Sequence, residues 1–418
     1  MSRFKRTIIL TAAGAVVLAF VVFQLPFVKS RVDWRYEVWS TYLKNAVDPV
    51  EKMPTPVPST PFAISTPLPP TPTLAETEAP TQTPVPLPPQ ASLPAPKYEL
   101  QGINNCGPAT LAMTLRMFGW QGDQNDIAQY IKPIQQDRNV NPDELRRYVL
   151  TQAGWLGAEV RVAGDLNRLK SLLSANYPVI IEEQSKLDPS DANGPNDDLW
   201  DAHYLLVTGY DDAAGVVTAQ DSYHGADLKI PYDKLLEDWK PFNYLYIVLY
   251  LKEKDEAEVQ SLLGSDWNPD QNRQRALQIA EQETVADKKD AFAWFNLGAS
   301  LTYFDRYAEA AEAFDNAFTI GLPQRMTRYQ FWPFVAYFNA DRIDYLLQIT
   351  ENTYKTIPGN YSEEALLWHG YAQLRKADNA GALADWDKAL KVHPGYCDAE
   401  TAIKNYINPQ FLYTSGCP

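Results

Sequence analysis

A thiol at the head of an amphipathic stretch is the first feature of this chain that could do chemistry. The segment Gln101-Gly102-Ile103-Asn104-Asn105-Cys106-Gly107-Pro108-Ala109-Thr110 leads into the periodic run Leu111 to Phe118. Pro108 suits a first helical turn, where its missing N–H costs nothing, so the pattern sets Cys106 at a helix amino end. There the dipole and the free N–H groups favour a thiolate, the nucleophilic form of cysteine. Gly107 leaves room beside the sulfur for a carbonyl, and Gln101 could donate its amide to an oxyanion together with the Cys106 backbone N–H. The competing use of Cys106 is structural, since a free cysteine also packs as a small hydrophobe.

A cysteine nucleophile needs a base, and the chain holds four histidines. His203 opens the strand-like run His203 to Tyr210, followed by the loop Asp211 to Gly215 and a second strand, Val216 to Asp221. Pairing Tyr210 with Val216 sets His203 opposite Tyr223 and makes Asp221 its diagonal neighbour on the same sheet face. A slip of one residue would turn Asp221 away, leaving Asp201 and Asp211, which flank the histidine strand, as substitutes. His224 falls past the strand end and reads as a loop residue, while His369 and His393 read as structural. The expected constellation is therefore Cys106, His203, Asp221 and Gln101.

These residues resemble the C39-like peptidase family, a papain-like group related to the bacteriocin-leader peptidases. Its motif runs Gln, then Cys-Gly-Pro at a helix start, then His and Asp on neighbouring strands. The resemblance covers roughly Tyr98 to Tyr250 and extends to Asn141-Pro142-Asp143-Glu144-Leu145, Tyr177-Pro178-Val179-Ile180-Ile181 and Gly209-Tyr210-Asp211. It implies a cysteine peptidase with Cys106 as nucleophile, His203 as base, Asp221 as orienting acid and Gln101 as oxyanion donor. Asp221-Ser222 stands where many members have Asp-Pro. The transporter segments of leader-processing relatives are missing from this sequence, so cleavage after a double glycine is not implied.

The elements that must position this site read as α+β. Helical stretches at Pro108 to Phe118, Pro142 to Ala153 and Leu166 to Ala175 precede strands at Val179 to Glu183, His203 to Tyr210, Val216 to Asp221, Leu228 to Tyr232 and Tyr244 to Leu251. The peptidase domain is set at 98–251. From 252 to 418 the strand signal gives way to a helical repeat. Trp294, Leu297, Gly298, Tyr307, Ala310, Phe314, Ala317 and Pro323 fall at tetratricopeptide spacing, and Gly370, Ala382, Trp386, Ala389 and Pro394 repeat it. The clearest copies are 290–323 and 363–396, and such repeats imply a protein partner. The acidic stretch Ser185 to Asp201 reads as a solvated loop that could act as a lid or bind calcium.

The N-terminal region is of another character. Residues 1–7 carry Arg3, Lys5 and Arg6 ahead of an apolar run at 8–28, which reads as a single transmembrane anchor with its short N-terminus cytoplasmic. A cleaved signal peptide is the rival reading. A juxtamembrane segment (29–45) and a Pro/Thr-rich linker (46–97) follow, so the expected location is the cell membrane with the peptidase domain outside the cytoplasm. An oxidising compartment would pair Cys397 with Cys417 and leave Cys106 as the free thiol. The net charge of −15 argues against nucleic-acid binding, and no cysteine/histidine spacing of a zinc site occurs, so neither a metal nor a cofactor is expected. Three functions compete: hydrolysis of a peptide or protein through a thioester, acyl transfer or amide cleavage through the same thioester, and a catalytically silent binding module.

Overall fold

The computed structural model describes residues 3–49, 54–56 and 86–406. Cys417 and most of the Pro/Thr-rich stretch lie outside them. Two helices come first, α1 (Arg3–Phe23) and α2 (Pro26–Val47). The sheet domain then runs β1 (Gln90–Ser92), α3 (Cys106–Met117), α4 (Gln124–Ile131), α5 (Pro142–Gln152), β2 (Leu156–Arg161), α6 (Leu166–Ser174), β3 (Val179–Lys186), β4 (Trp200–Asp211), β5 (Val216–Asp221), β6 (Gly225–Pro231), α7 (Tyr232–Trp239) and β7 (Tyr246–Leu251). Helices only follow: α8 (Lys252–Leu263), α9 (Pro269–Ala286), α10 (Ala291–Tyr303), α11 (Tyr307–Ile320), α12 (Trp332–Asn339), α13 (Ile343–Lys355), α14 (Glu363–Arg375), α15 (Asn379–Val392) and α16 (Cys397–Asn405).

The N-terminus corrects the expected membrane anchor. Among the described residues, no helix is long and apolar enough to cross a membrane. The apolar run is cut where the chain turns at Gln24 and Leu25, and Pro26 starts a new helix at the position its missing N–H tolerates. The piece from Ile8 to Phe23 would extend only about 24 Å at ~1.5 Å per residue, short of the ~30 Å hydrocarbon core. The single-pass topology and the extracytoplasmic placement fall with the anchor. Helix α2 instead packs on the rest of the molecule. Trp34 and Val38 are buried, the Arg138 guanidinium lies 4.7 Å above the Trp34 ring, and Arg35 pairs with Asp191 at 2.7 Å.

The antiparallel sheet has the order β2-β7-β3-β4-β5-β6, with β1 paired to β4. Strand alternation divides the core in two. Ile180, Tyr204, Leu206, Ile247 and Leu249 join α3, α4 and α5 on one face, in a cluster that continues into the helical module. Val179, Ile181, Leu205, Val207, Val217 and Val248 face the other way, beneath α6, α7 and α8. Strand β1 lies inside the stretch read as linker, and Gly209 admits it: a Cβ there would come within 2.6 Å of the Ala91 carbonyl.

The C-terminal helices pack as neighbours in chain order. A Cβ on Gly298 of α10 would meet the Phe314 ring of α11 at 2.7 Å, and one on Gly370 of α14 would meet the Trp386 ring of α15 at 2.4 Å. The same device closes two helix pairs, which is why a small residue stands at both positions.

Candidate active site

Helix α3 begins at Cys106, as the Pro108 signal requires, and it is fixed from both sides. Thr110 Oγ1 donates to the Tyr204 carbonyl of β4 at 3.1 Å, and Asn105 Nδ2 donates to Gln124 Oε1 of α4 at 2.9 Å. Gln124 Oε1 also accepts from the Gly102 N–H, so α4 holds the loop that delivers the thiol. Cys106 is a free thiol and is partly exposed. Cys397 is disulfide-bonded.

His203 and Asp221 are both buried, and His203 Nε2 lies 2.8 Å from Asp221 Oδ1. The Cys106 thiol lies near enough to act on the imidazole, alongside Asp221. Burial alone would lower the His203 pKa, but the hydrogen bonds to Asp221 and Cys106 outweigh it and hold the ring well above its ordinary value. Burial would likewise raise the Asp221 carboxyl. The hydrogen bond and charge of His203, with the backbone N–H groups of Tyr223 and His224, instead hold it well below the carboxylate range.

The register that joins the two differs from the hairpin read from sequence. Tyr210 pairs with Val217 rather than Val216, and carrying that register inward would set Asp221 opposite Leu206, facing away from the imidazole. A bulge between Val207 and Gly209 takes up one residue, so that Leu205 pairs with Asp221 and both point to the face of His203. Strand β5 ends at Asp221, so His203 has no partner at Tyr223.

Gln101 is anchored at the same strand end. Its N–H donates to the Ser222 carbonyl and its Oε1 accepts from Ser222 Oγ, both at 2.8 Å, which leaves the side-chain NH2 as the free end of the amide. The substitute carboxylates are engaged elsewhere. Asp201 accepts from Tyr329 Oη of the helical module, and Asp211 accepts from the N–H groups of Ala213 and Ala214 at the hairpin. The acidic stretch is not a free loop, because Asp197 forms a two-pronged ion pair with buried Arg325 and Asp198 accepts from the Gln324 N–H.

Three neighbours escaped the sequence reading. His224 Nδ1 lies 2.7 Å from Asp221 Oδ2, so one carboxylate serves two imidazoles. Ser222 holds Gln101 through its Oγ and its carbonyl. Glu183 pairs with His203 across β3 and β4, and burial pushes its carboxyl up to about 8 despite the nearby imidazole. Only their adjacency to the motif, and for Glu183 the β3–β4 pairing, could have signalled them.

The sheet thus carries a buried imidazole–carboxylate pair next to a helix-borne thiol. Residues 82–247 match the model of the Peptidase_C39 like family, which supports a C39-like domain in this part of the chain. No curated protein matches the chain. Among solved structures, a crystal structure of a candidate C39-like peptidase from Bacillus anthracis is 18% identical, with 38% of this chain and 97% of that chain covered and a TM-score of 0.31.

Proposed function

We propose that this chain is a cysteine peptidase that hydrolyses peptide bonds through a thioester on Cys106. The observation that carries the reading is the buried His203, bound through Nε2 to Asp221 at 2.8 Å and lying beside the free thiol of Cys106. His203 takes the thiol proton, and the sulfur attacks the scissile carbonyl. The oxyanion is met by the Cys106 N–H and the Gln101 side-chain NH2. The imidazolium then protonates the departing amine. It next accepts a proton from the water that cleaves the thioester, releasing the acid and the free thiol. Asp221 holds the ring in orientation and stabilises its charged form.

The helical module would recruit a protein partner, in the manner of tetratricopeptide repeats. The matched glycine–aromatic closures of α10 with α11 and of α14 with α15 favour that reading.

The test is selective labelling of the native protein with a thiol-directed peptidase inhibitor, followed by peptide mapping and turnover of a peptide library by Cys106→Ala. Rapid labelling of Cys106 in native protein alone, with no turnover by the variant, is expected. Equal labelling in native and denatured protein, or cleavage by Cys106→Ala at the parent rate, would end the reading. Mass spectrometry of the products separates hydrolysis from acyl transfer to an added amine.

A further inference from the structure

Among the described residues, two groups of side chains bring three metal-ligating atoms within 4.8 Å of one another. One, His203 with Asp221 and His224, belongs to the active site. The other, Asp137, Glu363 and His393, lies at the seam where the loop before α5 meets α14 and the end of α15. All three residues are more than nine-tenths buried.

His393 Nδ1 lies 2.6 Å from Glu363 Oε1 and 3.7 Å from Asp137 Oδ2. Asp137 Oδ2, Glu363 Oε2 and Glu364 Oε2 are buried without any hydrogen-bond partner. Bare carboxylate oxygens away from water cost several kcal/mol each unless a cation or proton meets them. The charges leave the same deficit. Among the described residues, buried Lys132 is the only ammonium facing the cluster, and it stands against the carboxylates of Asp137 and Glu363, with Glu364 beside Glu363. Glu144 has Arg147 at 3.8 Å, and Asn139 and Asn141 bring only neutral amides to Glu364 Oε1. With a neutral imidazole and ionised carboxylates, as ligation requires, two negative charges are left for a cation to meet.

We propose that Asp137, Glu363 and His393 form a site for a divalent transition-metal ion that clamps the helical module to the peptidase domain. Two carboxylate oxygens and an imidazole nitrogen are donors such ions take, with bonds of about 2.0–2.2 Å for zinc. The ion replaces the proton between His393 Nδ1 and Glu363 Oε1, and any proton held by the ligating carboxyls, so uptake releases at least one proton to solvent. The clamp lies next to the catalytic loop: Lys132 Nζ donates to the Asp137 carbonyl at 2.6 Å and to the Asn104 carbonyl, two residues before Cys106, at 2.7 Å.

The experiment uses the full chain stripped with chelator and titrated with zinc chloride by calorimetry, with melting followed in parallel. The expected result is one ion per chain at micromolar affinity or tighter and a higher melting temperature, with uptake weakened at least tenfold in Glu363→Gln and His393→Ala. No uptake by the parent chain, or undiminished uptake by both variants, overturns the proposal. Should the variants not fold, the parent chain decides alone. Substoichiometric Mn2+ must broaden the ring resonances of His393 while sparing those of His203 and His224. Broadening of the latter pair instead, or of none, overturns it equally.

Discussion

Ser222 Oγ donates to Gln101 Oε1 at 2.8 Å, one residue beyond the carboxylate that holds His203. This hydrogen bond settles which end of the Gln101 amide is free, because an oxygen already occupied by a donor turns the NH2 outward. In the proposed mechanism that NH2 meets the oxyanion. Gln101→Ala should lower kcat by about 10²-fold or less, since one oxyanion donor is worth about 3 kcal/mol and the Cys106 N–H remains. Ser222→Ala should cost less, about 2- to 10-fold in kcat with KM little changed, matching one neutral hydrogen bond. In the Gln101→Ala background, Ser222→Ala should have no further effect, because the residue acts only through that amide. Full additivity in this double-mutant cycle would assign Ser222 another role.

Asp221 stands between two imidazoles, but only His203 is buried, with the thiol acting on it. Asp221→Asn keeps the shape and removes the charge that holds the His203 pKa up. Activity should drop without vanishing, and the alkaline limb of the pH–rate profile should move toward acid by about one to three units. His224→Ala, at a ring 51% exposed in its side chain, should change kcat/KM by no more than about 3-fold. A collapse of activity in His224→Ala to the level of His203→Ala would show that the base had been misassigned.

The buried pair also sets a stability window. A histidine whose folded pKa lies above 6.5 contributes fully below that value and loses its contribution as pH rises through the folded pKa. The depressed Asp221 contributes above about 4 and loses it as pH falls toward its folded pKa. Glu183 works in the opposite sense, because a carboxyl raised from 4.5 to about 8 makes folding progressively less favourable between those pH values. Glu183→Gln should therefore stabilise the protein on the order of 4 kcal/mol at pH 8 and by less than about 1 kcal/mol at pH 5. Denaturant melts at the two pH values measure this. An equal gain at both would mean that packing, not ionisation, is responsible.

Cys106, His203, Asp221 and Gln101 could be picked out from their order and spacing because each is tied to a local signal: Pro108 to a helix start, Gly215 to a hairpin, Asp221 to a strand end. The bulge at Thr208 carried no such signal. Beside it β1, a three-residue strand from a proline-rich stretch, lies against Gly209, and a long-range contact of that kind leaves no periodicity. Placing His203 and Asp221 on one face from sequence was therefore fortunate, since the hairpin pairing that led there is off by one at Tyr210. The N-terminus misled for a related reason. Hydropathy counts apolar residues without regard to the break at Gln24 and Leu25, and the buried face of α2 becomes apparent only when Trp34 meets Arg138. Nothing local marks Asp137, Glu363 and His393 as neighbours either, since their elements meet only when the two modules dock.

Gly370 offers a test of how that docking is maintained. A Cβ there would sit 2.4 Å from Trp386 Nε1 and 2.7 Å from Cδ1, and the ring cannot yield because it is wholly buried and its Nε1 donates to the Leu367 carbonyl at 3.1 Å. Gly370→Ala gains about 1 kcal/mol of helix propensity but forces an overpacked contact costing about 1–3 kcal/mol, so the net change should be a loss. The module should melt earlier, and Trp386→Phe in the same chain should recover part of the loss by shortening the ring that is struck. Helix α14 also carries Glu364, whose Oε1 accepts from Asn139 and Asn141 of the sheet domain. Separation of α14 from α15 should therefore release the seam and lower peptide turnover at temperatures where the sheet domain is still folded. An unchanged or higher melting temperature in Gly370→Ala would show that α14 and α15 are not closed by this contact.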